Sequence, residues 1–167
     1  MQAPVIWITG LPGSGKSTLA NKIKKNLPSC IIVDGEEIRR ILPSLGYTLK
    51  DRLKNALRIC LIVKMINDRG HTVLCSTVSL FDIIHKINRI LFNNYLEVFL
   101  ECDLEILKKR KPTVYERLDS SLYQKPKSPH YKMNTDNFFA EEEVLSLCGI
   151  IQNLQKHMTT DQHTPKQ

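Results

Sequence analysis

Gly10-Leu11-Pro12-Gly13-Ser14-Gly15-Lys16-Ser17-Thr18 holds the densest chemistry in the chain. Two glycines separated by four residues and followed by Lys-Ser make a phosphate-binding loop, and three of the chain's seven glycines fall within these few positions. Backbone amides must come close to phosphate oxygens there, in conformations that a Cβ obstructs. Lys16 would supply a positive charge to the β- and γ-phosphates of ATP, and the Ser17 hydroxyl is placed to ligate Mg²⁺. ATP and Mg²⁺ are therefore the expected cofactors, with Gly10, Leu11, Pro12, Gly13, Ser14, Gly15, Lys16, Ser17 and Thr18 as the expected ATP site. The second candidate is Asp34. It follows the apolar run Cys30-Ile31-Ile32-Val33 and precedes Gly35, which puts a carboxylate at the carboxyl end of a strand, where open α/β sheets place their chemistry.

The elements needed to position these groups follow from the pattern. Val5-Ile6-Trp7-Ile8-Thr9 reads as a strand feeding the loop, and Leu19, Ile23 and Leu27 share one face of a helix over 16–27 that Pro28 ends. A strand over 30–33 and a short helix over 36–42 follow. A long helix over 51–69 is closed by Gly70. Next come a strand over 72–78, a helix over 81–93, a strand over 95–100 and a helix over 104–111 that Asp103 can cap. Residues 115–127 have no clean periodicity. A fifth strand over 131–134 and a terminal helix over 141–157 complete the order. Strands that are continuously apolar and alternate with helices predict a three-layer α/β fold, with a five-stranded parallel sheet covered on both faces. A single domain over 1–158 is expected, with a frayed tail at 159–167.

At 167 residues, 42% apolar and 25% charged, the chain can bury a core without disulfides or metals. No apolar run reaches the roughly 20 residues of a membrane helix, and residues 1–8 do not read as a signal peptide, so a cytoplasmic protein is expected. Cys30, Cys60, Cys75, Cys102 and Cys148 lie far apart without a CxxC pair, and are read as buried thiols. Of the net charge of +7, six units fall between Lys108 and Lys132. That segment is the candidate lid, since phosphoryl transfer relies on mobile cations over the transferring group. No Asn-Lys-x-Asp segment marks a GTPase, and the run ending at Ser79 lacks the terminal carboxylate of a motor ATPase.

Several segments in order resemble the adenylyl-sulfate kinases (APS kinases) between about Val5 and Arg110. Asp34-Gly35-Glu36-Glu37-Ile38-Arg39 resembles their Asp-Gly-Asp-Asn-x-Arg. The stretch from Gly46-Tyr47-Thr48 through Asp51-Arg52 to Asn55 is similar to Gly-Phe-Ser-x-x-Asp-Arg-x-x-Asn. Ser76-Thr77-Val78-Ser79 and Glu97-Val98-Phe99 match their third and fourth strands. The resemblance implies that Asp34 orients the acceptor hydroxyl and accepts its proton, working with Lys16. Arg39 and Arg52 would hold the acceptor's anionic groups, while Asn55, Ser76 and Ser79 complete its pocket. Arg110 would pack on the adenine of ATP.

Departures lie in the acceptor half. Leu80-Phe81-Asp82 replaces Pro-Tyr-Arg, so an acid stands where an arginine is expected near the sulfate, and Arg110-Lys111-Pro112-Thr113-Val114-Tyr115 loses the family's acid, lysine and glycine. Ser79-Leu80-Phe81 with Asn88-Arg89 resembles a branch that includes cytidine diphosphoramidate kinases of capsule biosynthesis. The implied reaction is phosphorylation of the 3′-hydroxyl of a small nucleotide, cytidine diphosphoramidate or adenylyl sulfate. A nucleotide-binding module without kinase activity and a polynucleotide 5′-kinase stay open as alternatives. The partner is a small nucleotide, with no membrane; Tyr115, Tyr123 and Tyr131 without an RNA-binding module argue against nucleic acid, and a homodimer is left open.

Overall fold

The computed structural model describes residues 2–43, 46 and 48–156; Tyr47, His157 and the tail at 159–167 lie outside them. Five strands, β1 (Val5–Thr9), β2 (Ile31–Asp34), β3 (Val73–Thr77), β4 (Tyr95–Glu101) and β5 (Tyr131–Asn134), pair in parallel in the order β2-β3-β1-β4-β5. Each strand's side chains alternate between two buried layers, which is why the sequence shows apolar runs where a half-exposed sheet would alternate. Ile6 and Ile8 of β1 pack with α1 (Lys16–Asn26) and α7 (Glu141–Lys156), through Leu19, Ile23, Leu147 and Ile151. Val5 and Trp7 face the other layer, where α3 (Leu49–Asn67) and α4 (Asp82–Leu91) contribute Ile59, Val63 and Ile84. The expected three-layer α/β fold is the one observed.

The element order is as expected, and the boundaries shift where caps intervene. β2 runs one residue further, to Asp34, whose side chain also caps α2 (Gly35–Ile41). Thr48 caps α3 by accepting from the Asp51 amide, so that helix starts two residues before the expected position. Asp103 caps α5 (Leu104–Arg110) by accepting from the Glu105 amide at 2.8 Å. Gly70 has φ +84, the left-handed turn that closes α3. Four cysteines are buried and Cys102 is half-buried, all as free thiols. No described helix is long and apolar enough to cross a membrane.

The expected lid range needs correction. Lys108, Lys109 and Arg110 belong to α5, and Tyr131 and Lys132 to β5, which leaves 111–130 as a connector. It contains α6 (Pro112–Tyr115), opened by proline at its first turn, and a 3-10 turn at Ser120–Leu122. Neither carries an apolar stripe, so periodicity could not announce them.

Trp7 is fully buried at the centre of the sheet. Trp7→Ala should lower the unfolding free energy by about 3–5 kcal/mol, read from urea denaturation; a loss below about 1 kcal/mol would show that the second layer does not depend on it.

Candidate active site

The carboxyl ends of β1, β2 and β3 open into a cavity of about 830 Å³. Asp34 sits where they meet. Its Oδ2 accepts from Ser17 Oγ of α1 and Ser76 Oγ of β3, both at 2.6 Å, and its Oδ1 accepts from the amides of Glu36 at 2.8 Å and Glu37 at 3.3 Å. Asp34 and Ser76 are register partners in the β2–β3 pair, so their side chains emerge on the same face. Partial burial pushes the Asp34 carboxyl pKa up, but the four hydrogen bonds outweigh it and hold the group below the usual aspartate value. The carboxylate is ionised at neutral pH.

Lys16 also lines the cavity, and its Nζ donates to the carbonyl of its own loop residue Leu11 at 2.9 Å. Burial brings its pKa down to about 8, against the pull of Asp34 and Glu36, with Lys111 lowering it further. Gly15 has φ +93, and a Cβ there would come within 2.8 Å of Phe139 Cζ, so the loop tolerates only glycine at this point. Pro12, Gly13, Ser17 and Thr18 also line the cavity. Gly10, Leu11 and Ser14 do not. A Cβ on Gly10 would lie 2.7 Å from the Leu100 carbonyl, and Ser14 is buried with its hydroxyl unpartnered. These three shape the loop from behind.

Arg39, Arg52 and Asn55 also line the cavity. Arg39 donates to the Gly46 carbonyl at 3.0 Å. Arg52 donates to the Tyr123 hydroxyl from the connector and lies 5.4 Å from the centre of its ring. Tyr123 in turn packs on Phe81, ring centres 5.8 Å apart. Ser76 and Ser79 also line the cavity, but their hydroxyls are engaged, Ser76 with Asp34 and Ser79 with Thr77 Oγ1 at 2.9 Å. Arg110 is fixed by the carbonyls of Thr135 at 2.9 Å and Asp136 at 2.8 Å, reaches Gly13 O at 3.4 Å, and lies 4.7 Å from the centre of the Phe138 ring.

Asp82 corrects an expectation. It lies outside the cavity wall, with its carboxylate 3.7 Å from Lys127 and its amide donating to Gln124 Oε1. The acid that replaces the family arginine therefore does not repel an anion in the pocket. The basic segment is likewise less free than its count implies. Lys125 and Lys132 both pair with Glu101, at 3.0 and 2.6 Å, and Lys108 pairs with Glu105 at 2.7 Å. Lys111 and Arg117 do line the cavity. Arg117, Tyr123 and Phe81 are wall residues that the sequence reading did not place in the site; Arg117 and Tyr123 lie in the segment without clean periodicity.

The adenylylsulphate kinase family pattern matches residues 2–135. The chain belongs to that family. Among its curated relatives, the cytidine diphosphoramidate kinase of Campylobacter jejuni is 36% identical over 118 residues, covering 68% of this chain and 69% of that protein. The adenylyl-sulfate kinase of Clostridium acetobutylicum is 29% identical, covering 92% of this chain and 84% of that one. The APS kinase of Mycobacterium tuberculosis, solved in complex with AMPPNP and APS, superposes with a TM-score of 0.76 at 24% identity, over 93% of this chain and 98% of that one, and shares the fold. Asp34, Arg39, Arg52 and Asn55 all line one cavity.

Lys16 carries a pH signature. Its folded-state pKa of about 8 lies below the ordinary 10.5, so the unfolded chain binds more protons between these values and stability rises with pH across that window. Below it the buried ammonium opposes folding. Lys16→Met should therefore melt a few degrees above the wild type at about pH 7, at roughly 2–4 °C per kcal/mol for this size, and the gap should close toward about pH 10. Equal melting temperatures at both pH values would contradict this.

Proposed function

We propose that this chain is an ATP-dependent kinase that moves the γ-phosphoryl group to the 3′-hydroxyl of a small nucleotide. One juxtaposition supports the reading: Lys16, Ser17, Asp34, Arg39, Arg52 and Asn55 all line one cavity, in which Ser17 and Asp34 meet at 2.6 Å. The N-terminus of α1 adds its dipole to the loop that receives the ATP phosphates. Arg110, stacked on the exposed Phe138 beside Gly13, offers a flat surface to the adenine. Ser17 Oγ and the Asp34 carboxylate are hard oxygen donors 2.6 Å apart and fit Mg²⁺, which when bound neutralises charge on the β- and γ-oxygens.

On the acceptor side, Asp34 accepts a hydrogen bond from the attacking hydroxyl and orients it. Its low pKa makes it a weak base, and a loose transition state asks for little more than alignment, because the hydroxyl loses its proton late. Arg39 and Arg52 hold the acceptor's anionic groups, Asn55 presents an amide with no hydrogen bond among the described residues, and the connector acts as the lid by bringing Lys111 and Arg117 over the pocket. The resemblance carried by Ser79-Leu80-Phe81 with Asn88-Arg89, and the 36% identity to a cytidine diphosphoramidate kinase, favour cytidine diphosphoramidate over adenylyl sulfate as the acceptor. A cytoplasmic location and a homodimer go with this reading.

Coupled ADP release should appear with cytidine diphosphoramidate, weaken with adenylyl sulfate and be absent with a 5′-hydroxyl oligonucleotide. Asp34→Asn should lower kcat by about 10²–10⁴-fold. ADP release indifferent to every acceptor would sink the proposal.

A further inference from the structure

Glu97 lies in the middle of β4 with no exposed surface, and phosphoryl transfer has no use for it. A buried carboxylate is tolerated only with partners. Arg89 of α4 pairs with its Oε2, and His85, one turn earlier on the same helix, brings Nδ1 to 2.5 Å from Oε1. Arg89 continues past Glu97. Its guanidinium also donates to the Ser128 carbonyl at 2.8 Å and lies 3.2 Å from His130 Nε2. The β4–β5 ladder begins at Val98 and Tyr131, and one step earlier the Glu97 amide donates to His130 Nδ1 at 2.9 Å. An imidazole thus stands in for a ladder carbonyl. Residues 128–130, where the connector ends, are bolted to the sheet by the Arg89 side chain of α4 and the Glu97 backbone amide of β4, while Arg117 and Tyr123 of the same connector line the reactive cavity.

We infer that Arg89, Glu97 and His130 are positioning residues for the 111–130 connector, and that protonation of His130 releases its C-terminal root. The reason is the count of donors. Nδ1 already accepts the Glu97 N–H, so neutral His130 carries its single proton on Nε2, and the Arg89 guanidinium, itself only a donor, touches Nε2 as a packing contact while its hydrogen bond in this segment goes to Ser128. A second proton would have to go on Nδ1, where it meets the Glu97 N–H head-on, and it would add a positive charge beside Arg89. The groups facing His130 are Arg89 from α4 and, from β4, the Glu97 amide and carboxylate and the Tyr95 ring, edge-on with centres 5.8 Å apart. Burial and then Arg89 lower the His130 pKa below 6.5, with Glu97 opposing them. The release therefore belongs to mildly acid solution, and the latch stands on geometry whichever nucleotide reacts in the cavity.

Hydrogen exchange of the 111–130 amides, corrected for intrinsic rates and compared at about pH 7.5 and about pH 5, tests it without recourse to kinase activity. Wild-type protection should fall about tenfold or more at the lower pH. His130→Asn keeps an acceptor for the Glu97 amide and cannot titrate, so it should stay protected at both. Arg89→Met with Glu97→Gln removes both charges together, leaves no unpaired ion buried, and should expose the connector at both pH values while the protein still melts cooperatively. Wild-type protection that ignores pH, a His130→Asn protein that loses protection as the wild type does, or a protected double variant would each overturn the inference.

Discussion

Asp34 accepts four hydrogen bonds at once, and the rest of the site depends on that convergence. β2 and β1 are separated by β3, so their ends lie two strand spacings apart, roughly 10 Å. Nothing local joins them. Ser76, from the strand between, and Ser17, from the helix that follows β1, close that gap by meeting on one carboxylate oxygen. The other oxygen ties down the first turn of α2, whose last turn carries Arg39. A parallel sheet brings strand ends together in general; this carboxylate fixes how the phosphate loop and the acceptor wall sit relative to each other. The same bonds keep it charged against the pull of burial, so the feature that organises the pocket also sets its electrostatics.

The distribution of charge follows from the fold more than from the count. A net charge of +7 concentrated in 108–132 reads as a cationic flap. In the folded protein Glu101 absorbs two of those lysines and Glu105 a third, all at the surface, where such pairs contribute little to stability and mainly decide where a segment lies. What faces the cavity is a smaller set drawn from several parts of the chain: Lys16, Arg39, Arg52, Arg110, Lys111 and Arg117. These cations are set against Asp34 and Glu36, which also act on the Lys16 ammonium. The arrangement suits ligands that bring several negative charges and place them at particular points.

Much of the fold was legible because its causes are local. Glycine at positions 10, 13 and 15 with Lys16 and Ser17 marks a loop by the shapes it permits, and strands buried on both faces show as unbroken apolar runs. Asp34 was legible by its place at a strand end. The parts that were not legible depend on contacts distant in sequence. Ser76 and Ser79 read as ligand-binding hydroxyls, yet each is engaged by a neighbour that only folding supplies. Asp82 read as a charge reversal in the pocket until Gln124 and Lys127, more than forty residues on, turned it elsewhere. Glu97 read as one letter of a strand motif, and nothing near it announces Arg89 and His130 as its clamp.

The connector is held differently at its ends and in its middle, and the difference bears on how the site works. At the start, the Tyr115 hydroxyl donates to the Pro12 carbonyl at 2.8 Å, and at the finish Arg89 holds Ser128. Neither contact uses a group that an acceptor would need. In the middle, Tyr123 takes Arg52, which stands on the acceptor wall. An anion arriving at Arg52 would compete with a phenol hydroxyl, and a guanidinium bonds a carboxylate or phosphate more strongly than it bonds an uncharged hydroxyl. On the proposed reading, binding there would loosen the middle of the connector while its ends stay anchored. The segment is therefore built as a strap that can yield at its centre, and the firmness of its buried root at Glu97 sets how far the yielding spreads.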